Sequence, residues 1–156
     1  MTVHVPPPLD VLIVEDEALV AEELSFAVSD AGYRNAGRAM SSVEAISLAR
    51  ALAPSLALVD VQLADGASGV DAARAIARDS GAAVLFMTAD VLRLPGDLAG
   101  ACGVIGKPYS EQVVSRALAY VGHCLREARA PGPPPLGLTL SADFTVRWGA
   151  DLAKVA

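Results

Sequence analysis

The sequence predicts an α/β protein built on a doubly wound sheet of five parallel strands. Two observations carry this reading. Short, wholly apolar runs recur along the chain: Val11-Leu12-Ile13-Val14, Leu56-Ala57-Leu58-Val59, Ala83-Val84-Leu85-Phe86-Met87 and Val104-Ile105-Gly106. Such runs, separated by stretches with helical spacing, read as strands buried on both faces. Each run also ends in a residue with a polar, reactive head: Glu15-Asp16, Asp60, Thr88 and Lys107-Pro108. Ligands of open parallel sheets bind beyond the carboxyl ends of the strands. A carboxylate pair, a lone aspartate, a hydroxyl and an ammonium therefore share one edge of one sheet.

Taken in order, the first strand covers about residues 10–15. A helix follows over about 18–31, with Val20, Leu24, Ala27 and Val28 at helical spacing and Gly32 as a C-terminal stop. A weaker strand covers roughly 33–40. Ser41 or Ser42 caps the next helix, which ends before Pro54. The third strand is 56–60, and a loop holding Gly66 and Gly69 leads into a helix over about 70–80. The fourth strand is 83–87. Residues 90–100 contain Pro95, Gly96 and Gly100, so any helix there is short or loose. The fifth strand is about 103–106. The helix over 110–128 places Val113, Val114, Ala117, Leu118, Val121 and Leu125 on one stripe.

Residues 130–135 are a linker by composition, Ala-Pro-Gly-Pro-Pro-Pro. Beyond it, Leu136, Leu138 and Leu140 alternate with small or polar residues, and Phe144, Val146 and Trp148 alternate again. Period-two alternation around the polar turn Ser141-Ala142-Asp143 predicts a β-hairpin. A lone hairpin is marginal in water, so this one is expected to pack on the domain or on a second chain, the alternative being a mobile tail. The organisation is then a leader over 1–9, a globular domain over 10–129, a linker over 130–135 and an extension over 136–156.

Composition narrows the partners. The chain has 156 residues, 53% hydrophobic but only 4% aromatic, so Ala, Val and Leu must build the core. The net charge is −6 and no Lys/Arg cluster is evident, which argues against nucleic acid. Cys102 and Cys124 form no metal-spaced or CxxC pattern and read as reduced thiols. The leader has no basic region followed by an apolar stretch, and no segment reaches the roughly 20 apolar residues that span a bilayer. A soluble, cytoplasmic protein without a membrane partner is expected. His4 and His123 have no metal-spaced partner, and Asp65 reads as a loop residue.

In the flavodoxin-like strand order 2-1-3-4-5, strands one and three are neighbours, and Glu15, Asp16 and Asp60 converge. Crowded carboxylates raise one another's pKa unless a cation sits among them. A hard divalent ion with oxygen ligands fits, and Mg²⁺ is the usual choice. Lys107 adds a mobile positive charge. Mg²⁺, a lysine and a hydroxyl donor together stabilise the equatorial oxygens of a phosphoryl group. An aspartate carboxylate is a competent phosphoryl acceptor.

Over about residues 11–125 this constellation resembles the receiver domain of bacterial two-component response regulators. The motifs are Val14-Glu15-Asp16-Glu17, Leu58-Val59-Asp60, Met87-Thr88-Ala89 and Gly106-Lys107-Pro108-Tyr109. The resemblance implies that Asp60 accepts a phosphoryl group from a sensor histidine kinase or a histidine phosphotransfer protein. It implies Mg²⁺ ligation by Asp16, Asp60 and the Gln62 backbone carbonyl, with Glu15 acting through water. Thr88 and Lys107 would contact the phosphoryl oxygens, and the Lys107–Pro108 bond would be cis. Such a domain turns over only its own phosphoryl group and is not otherwise an enzyme.

Val104 stands where the family usually carries an aromatic switch residue. Phe86-Met87-Thr88, the loop from Leu63 to Gly69 and the irregular segment after Thr88 resemble the subclass nicknamed FAT GUY, often lone receivers. Ala89 stands where that subclass has glycine.

Alternative readings are a pseudo-receiver that takes no phosphate, an Asp-nucleophile phosphatase of the haloacid dehalogenase type, and a flavin-binding flavodoxin. The phosphatase opens with an Asp-x-Asp nucleophile motif, whereas Asp60-Val61-Gln62 lacks the second Asp and the acidic pair comes first. Glu15-Asp16-Glu17 would repel a flavin phosphate. The residues after Ala130 are too few for a DNA-binding output domain, so signalling through a downstream protein partner, or through a homodimer, is expected.

Overall fold

Val11, Leu12, Ile13 and Val14 lose all contact with solvent, and they form strand β1 (Asp10–Val14). Burial on both faces is what a continuous apolar run permits and an alternating one does not. The same holds for β3 (Leu56–Asp60) and β4 (Ala83–Thr88), whose residues are buried throughout. β2 (Arg34–Ala39) is the polar edge, and β5 is Gly103–Gly106. The computed structural model describes residues 8–63 and 69–150. His4, Gly66 and Asp65, with most of the leader and residues 151–156 of the extension, lie outside the described residues.

Helices α1 (Ala18–Asp30) and α4 (Glu111–Glu127) pack on each other over one face of the sheet. Helices α2 (Ser42–Leu52) and α3 (Gly69–Ser80) pack together over the other. Caps account for where they start. The Ser41 hydroxyl accepts a hydrogen bond from Glu44 N at 3.1 Å, and that of Ser110 from Val113 N at 3.2 Å. The α4 stripe differs slightly from the expected one: it closes on the buried Cys124, while Leu125 faces outward. Both cysteines are free and buried. Between β4 and β5, residues 91–93 and 98–100 form only single 3₁₀ turns.

The strand order is β2-β1-β3-β4-β5-β6. The first five strands are mutually parallel, as expected, and a sixth, β6 (Leu138–Leu140), lies antiparallel on β5. The expected hairpin is therefore not formed. Its first half pairs with the sheet, and its second half is a short helix, α5 (Ala142–Trp148), capped by the Ser141 hydroxyl on Phe144 N at 3.2 Å. Phe144 and Trp148, four residues apart, share one face of an alternating strand but also one face of a helix. In the helix their rings meet at 4.8 Å. Helix formation lets Trp148 join the core on the α1–α4 side of the sheet, where its carbonyl accepts from Ala130 N, which a solvent-facing ribbon does not offer.

Candidate functional site

β1 and β3 are adjacent and in register from Val11↔Leu56 to Val14↔Val59. The residues just past that register, Glu15 and Asp16 on one side and Asp60 on the other, are thereby forced together. Each offers a carboxylate oxygen, and these atoms all lie within 4.8 Å of one another. Glu15 is the deepest, at 2% exposure, and Glu17 N donates to its Oε1 at 3.2 Å. Its Oε2 is buried with no hydrogen-bond partner among the described residues. Burial, reinforced by neighbouring Asp60, pushes the Glu15 carboxyl up to about 8. Burial and the nearby carboxylates of Glu15 and Asp60 push the Tyr109 phenol up to about 12.

The other half of the site comes from β4 and β5. Lys107 Nζ lies 3.3 Å from Asp60 Oδ1. Gln62 N donates to the same Asp60 oxygen at 3.1 Å, an Asx-type turn that holds the carboxylate. The Thr88 hydroxyl accepts from Asp90 N at 3.0 Å, leaving its own proton free to be donated elsewhere. Lys107 N donates to Thr88 O at 2.8 Å, and the Lys107–Pro108 bond is cis. Asp60, Gln62, Thr88, Ala89, Asp90 and Lys107 line a cavity of about 150 Å³, with Lys107 as the one cation among them. A larger cleft of about 420 Å³ opens at the opposite edge, beside Asp97, Phe144, Arg147 and Trp148, away from these residues.

A buried carboxylate oxygen without a partner, two further carboxylates within reach and no nitrogen or sulfur donor in the set suit a hard oxygen-seeking dication such as Mg²⁺. The adjoining cavity presents an ammonium, a hydroxyl and an aspartate oxygen, groups chemically suited to a small tetrahedral oxyanion.

The sequence profile of the response regulator receiver domain matches residues 11–119. This chain belongs to that family.

The receiver is 36% identical over 112 residues to the phyllosphere-induced regulator PhyR of Methylorubrum extorquens, a match covering 70% of this chain and 42% of that protein. It is 36% identical over 107 residues to the transcriptional regulatory protein PdtaR of Mycobacterium tuberculosis, covering 66% and 51%. The chain thus spans about half the length of these curated relatives. The solution structure of the PhyR receiver of Erythrobacter litoralis superposes with a TM-score of 0.66 at 31% identity, over 83% of this chain and 98% of that one. PhyR from Brucella abortus superposes at 0.60 and 34% identity, over 69% and 45%. No described helix is long and apolar enough to cross a membrane.

The receiver brings together Glu15, Asp16, Asp60, Gln62, Thr88 and Lys107, the residues singled out from the sequence. Three features escaped that reading. Asp90 contributes its backbone to Thr88 and a wall to the cavity. The unpartnered oxygen of Glu15 is visible only once burial is known. Gly69 abuts the phosphoacceptor candidate: a Cβ there would overlap the Asp60 carbonyl oxygen and come within 2.9 Å of Val61 Cα. A glycine at the first position of a helix was the available signal for it.

Proposed function

We propose that Asp60 is the phosphoacceptor of a two-component phosphorelay, charged by the phosphohistidine of a sensor histidine kinase or a histidine phosphotransfer protein. The observation that carries this reading is the convergence of Glu15, Asp16 and Asp60 within 4.8 Å, with Lys107 Nζ 3.3 Å from Asp60, in a member of the receiver family. Asp16, Asp60 and the Gln62 carbonyl would hold Mg²⁺ directly, and Glu15 would hold it through water. When bound, the ion neutralises the carboxylates and the charge of the transferring group. An Asp60 carboxylate oxygen attacks phosphorus as the P–N bond to the donor imidazole breaks. The bonding pair returns to the imidazole nitrogen, and an aspartyl phosphate forms. Lys107 pairs with one phosphoryl oxygen, and the Thr88 hydroxyl donates to another.

The chemistry turns over only the receiver's own phosphoryl group: Asp60 accepts it and water later removes it. The signal passes by contact with a downstream protein. PhyR from Bartonella quintana is described as an anti-anti-sigma factor, and protein contact is the reading favoured for this chain too.

Intact-mass measurement after incubation with acetyl phosphate and Mg²⁺ tests the proposal. One added phosphoryl group, absent in Asp60→Asn, is the expected result. An unmodified wild-type protein would identify a pseudo-receiver instead.

A further inference from the structure

The family match ends at residue 119, yet Leu138–Leu140 pair with the sheet and Trp148 is buried in its core. β6 pairs Leu140 with Gly103, Thr139 with Val104 and Leu138 with Ile105, and Ser141 N donates to Cys102 O at 2.8 Å. Two glycines make room for it. A Cβ at Gly103 would stand 2.7 Å from Thr139 O, and a Cβ at Gly137, where φ is +90°, would stand 2.5 Å from Val113 Cγ1. Trp148 is only 5% exposed, and its carbonyl accepts from Ala130 N at 2.8 Å. The Tyr120 hydroxyl fastens the intervening linker, donating to Gly132 O at 2.7 Å.

The strand that receives β6 is the one that carries Lys107. β5 is four residues long, and Lys107 follows it directly. β4 holds β5 on its inner side, through Phe86↔Val104, Met87↔Ile105 and the Lys107 N to Thr88 O bond. β6 holds the outer side, and its last pairing, at Ile105, is two residues from Lys107. Without β6 this strand would be a short open edge, the least constrained position in a sheet.

We infer that β6 is a positioning strand for Lys107, so that docking of residues 138–148 and binding of a phosphoryl group at Asp60 favour each other. The inference rests on the reading of Asp60 as phosphoacceptor. Its physical content is preorganisation: a β5 fixed on both edges presents the ammonium without an ordering cost at the moment of binding. Linkage makes the effect reciprocal, and couplings of this kind change affinity by about 5- to 150-fold. The phosphoryl group thereby tightens the seat of the C-terminal segment, which links the site to the far edge of the sheet.

Trp148 is the only tryptophan, so its fluorescence reports docking directly. Beryllofluoride with Mg²⁺ serves as the phosphoryl mimic, its binding followed by ¹⁹F NMR. In wild type, saturation with beryllofluoride is expected to reduce quenching of Trp148 by acrylamide and to slow hydrogen exchange over 138–148. Gly103→Ala, which pushes Thr139 away, and Leu140→Asp, which removes a buried contact from β6 itself, are expected to shift Trp148 emission to the red. Both should weaken beryllofluoride by about 10-fold, within the usual range of such couplings, while Mg²⁺ affinity, set by groups at the ends of β1 and β3, stays at the wild-type value. Wild-type beryllofluoride affinity in variants whose Trp148 is exposed would overturn the inference. Parallel loss of Mg²⁺ affinity in both would overturn it as well, since the damage would then be general. A wild-type protein that binds no beryllofluoride would instead remove the phosphoacceptor reading on which the inference stands.

Discussion

Lys107 Nζ reaches Asp60 Oδ1 at 3.3 Å across the whole width of β4. The pair joins the two halves of the site, the carboxylates at the ends of β1 and β3 and the Thr88–Lys107 edge of β4 and β5. It adds little to folding, because the Lys107 side chain is 33% exposed and solvent screens it.

Lys107→Ala should therefore leave the melting temperature near the wild-type value while weakening beryllofluoride by about 10-fold or more, the range expected for a lost hydrogen bond to a charged group. Calorimetry and ¹⁹F NMR on one preparation check both halves. Wild-type binding of beryllofluoride and normal phosphorylation would remove Lys107 from the site.

Asp16 is the accessible member of the carboxylate trio, while Glu15 and Asp60 are buried. Asp16→Ala is expected to abolish most of the Mg²⁺ affinity, measured by calorimetric or NMR titration. An unchanged dissociation constant would mean that the ion, if bound, sits elsewhere.

Glu15 keeps one carboxylate oxygen buried beside Asp60, with no hydrogen-bond partner among the described residues. Glu15→Gln replaces that carboxyl, which burial keeps protonated below about pH 8, by a permanently neutral group of nearly the same shape. In chelator it should stabilise the protein by about 1–2 kcal/mol, the usual cost of an unsatisfied buried polar atom. Urea denaturation measures the gain, which should shrink when Mg²⁺ is added to both proteins.

Gly69 lies so close to the Asp60 carbonyl that no side chain fits. Gly69→Ala should destabilise the protein by about 1–3 kcal/mol through overpacking and should weaken beryllofluoride by displacing Asp60. Gly96→Ala is the control, since a Cβ there meets nothing within 4 Å. Equal behaviour of the two variants would contradict the close approach.

The segment after Thr88 holds two single 3₁₀ turns, a Leu92 that is 96% exposed, and left-handed backbone at Leu98 and Ala99. Its amides should exchange fastest among the described residues between β1 and α4. Since Asp90 N bonds to the Thr88 hydroxyl at 3.0 Å, a phosphoryl group that recruits Thr88 should change that exchange. Identical protection with and without beryllofluoride would show that the signal leaves by another route.

Much of this was written locally. The strands β1, β3 and β4 are apolar at every position because both faces are covered, and that pattern survives without any knowledge of neighbours. The serine caps at Ser41 and Ser110 and the break before Pro54 are equally local. Since ligands gather at the carboxyl ends of parallel strands, the residues that end each run, Glu15, Asp16, Asp60, Thr88 and Lys107, could be named from order alone. Tertiary contact decided the rest. The alternation over 136–148 is compatible with a ribbon, but Phe144 and Trp148 also satisfy helical spacing, and Ser141 can cap. The outcome turned on an open β5 edge that took Leu138–Leu140, and on a helical turn that buries Trp148 in the core. The same holds for Gly69 against Asp60 and for the unpartnered oxygen of Glu15: close approach and burial are properties of pairs of distant residues, and a local pattern carries neither.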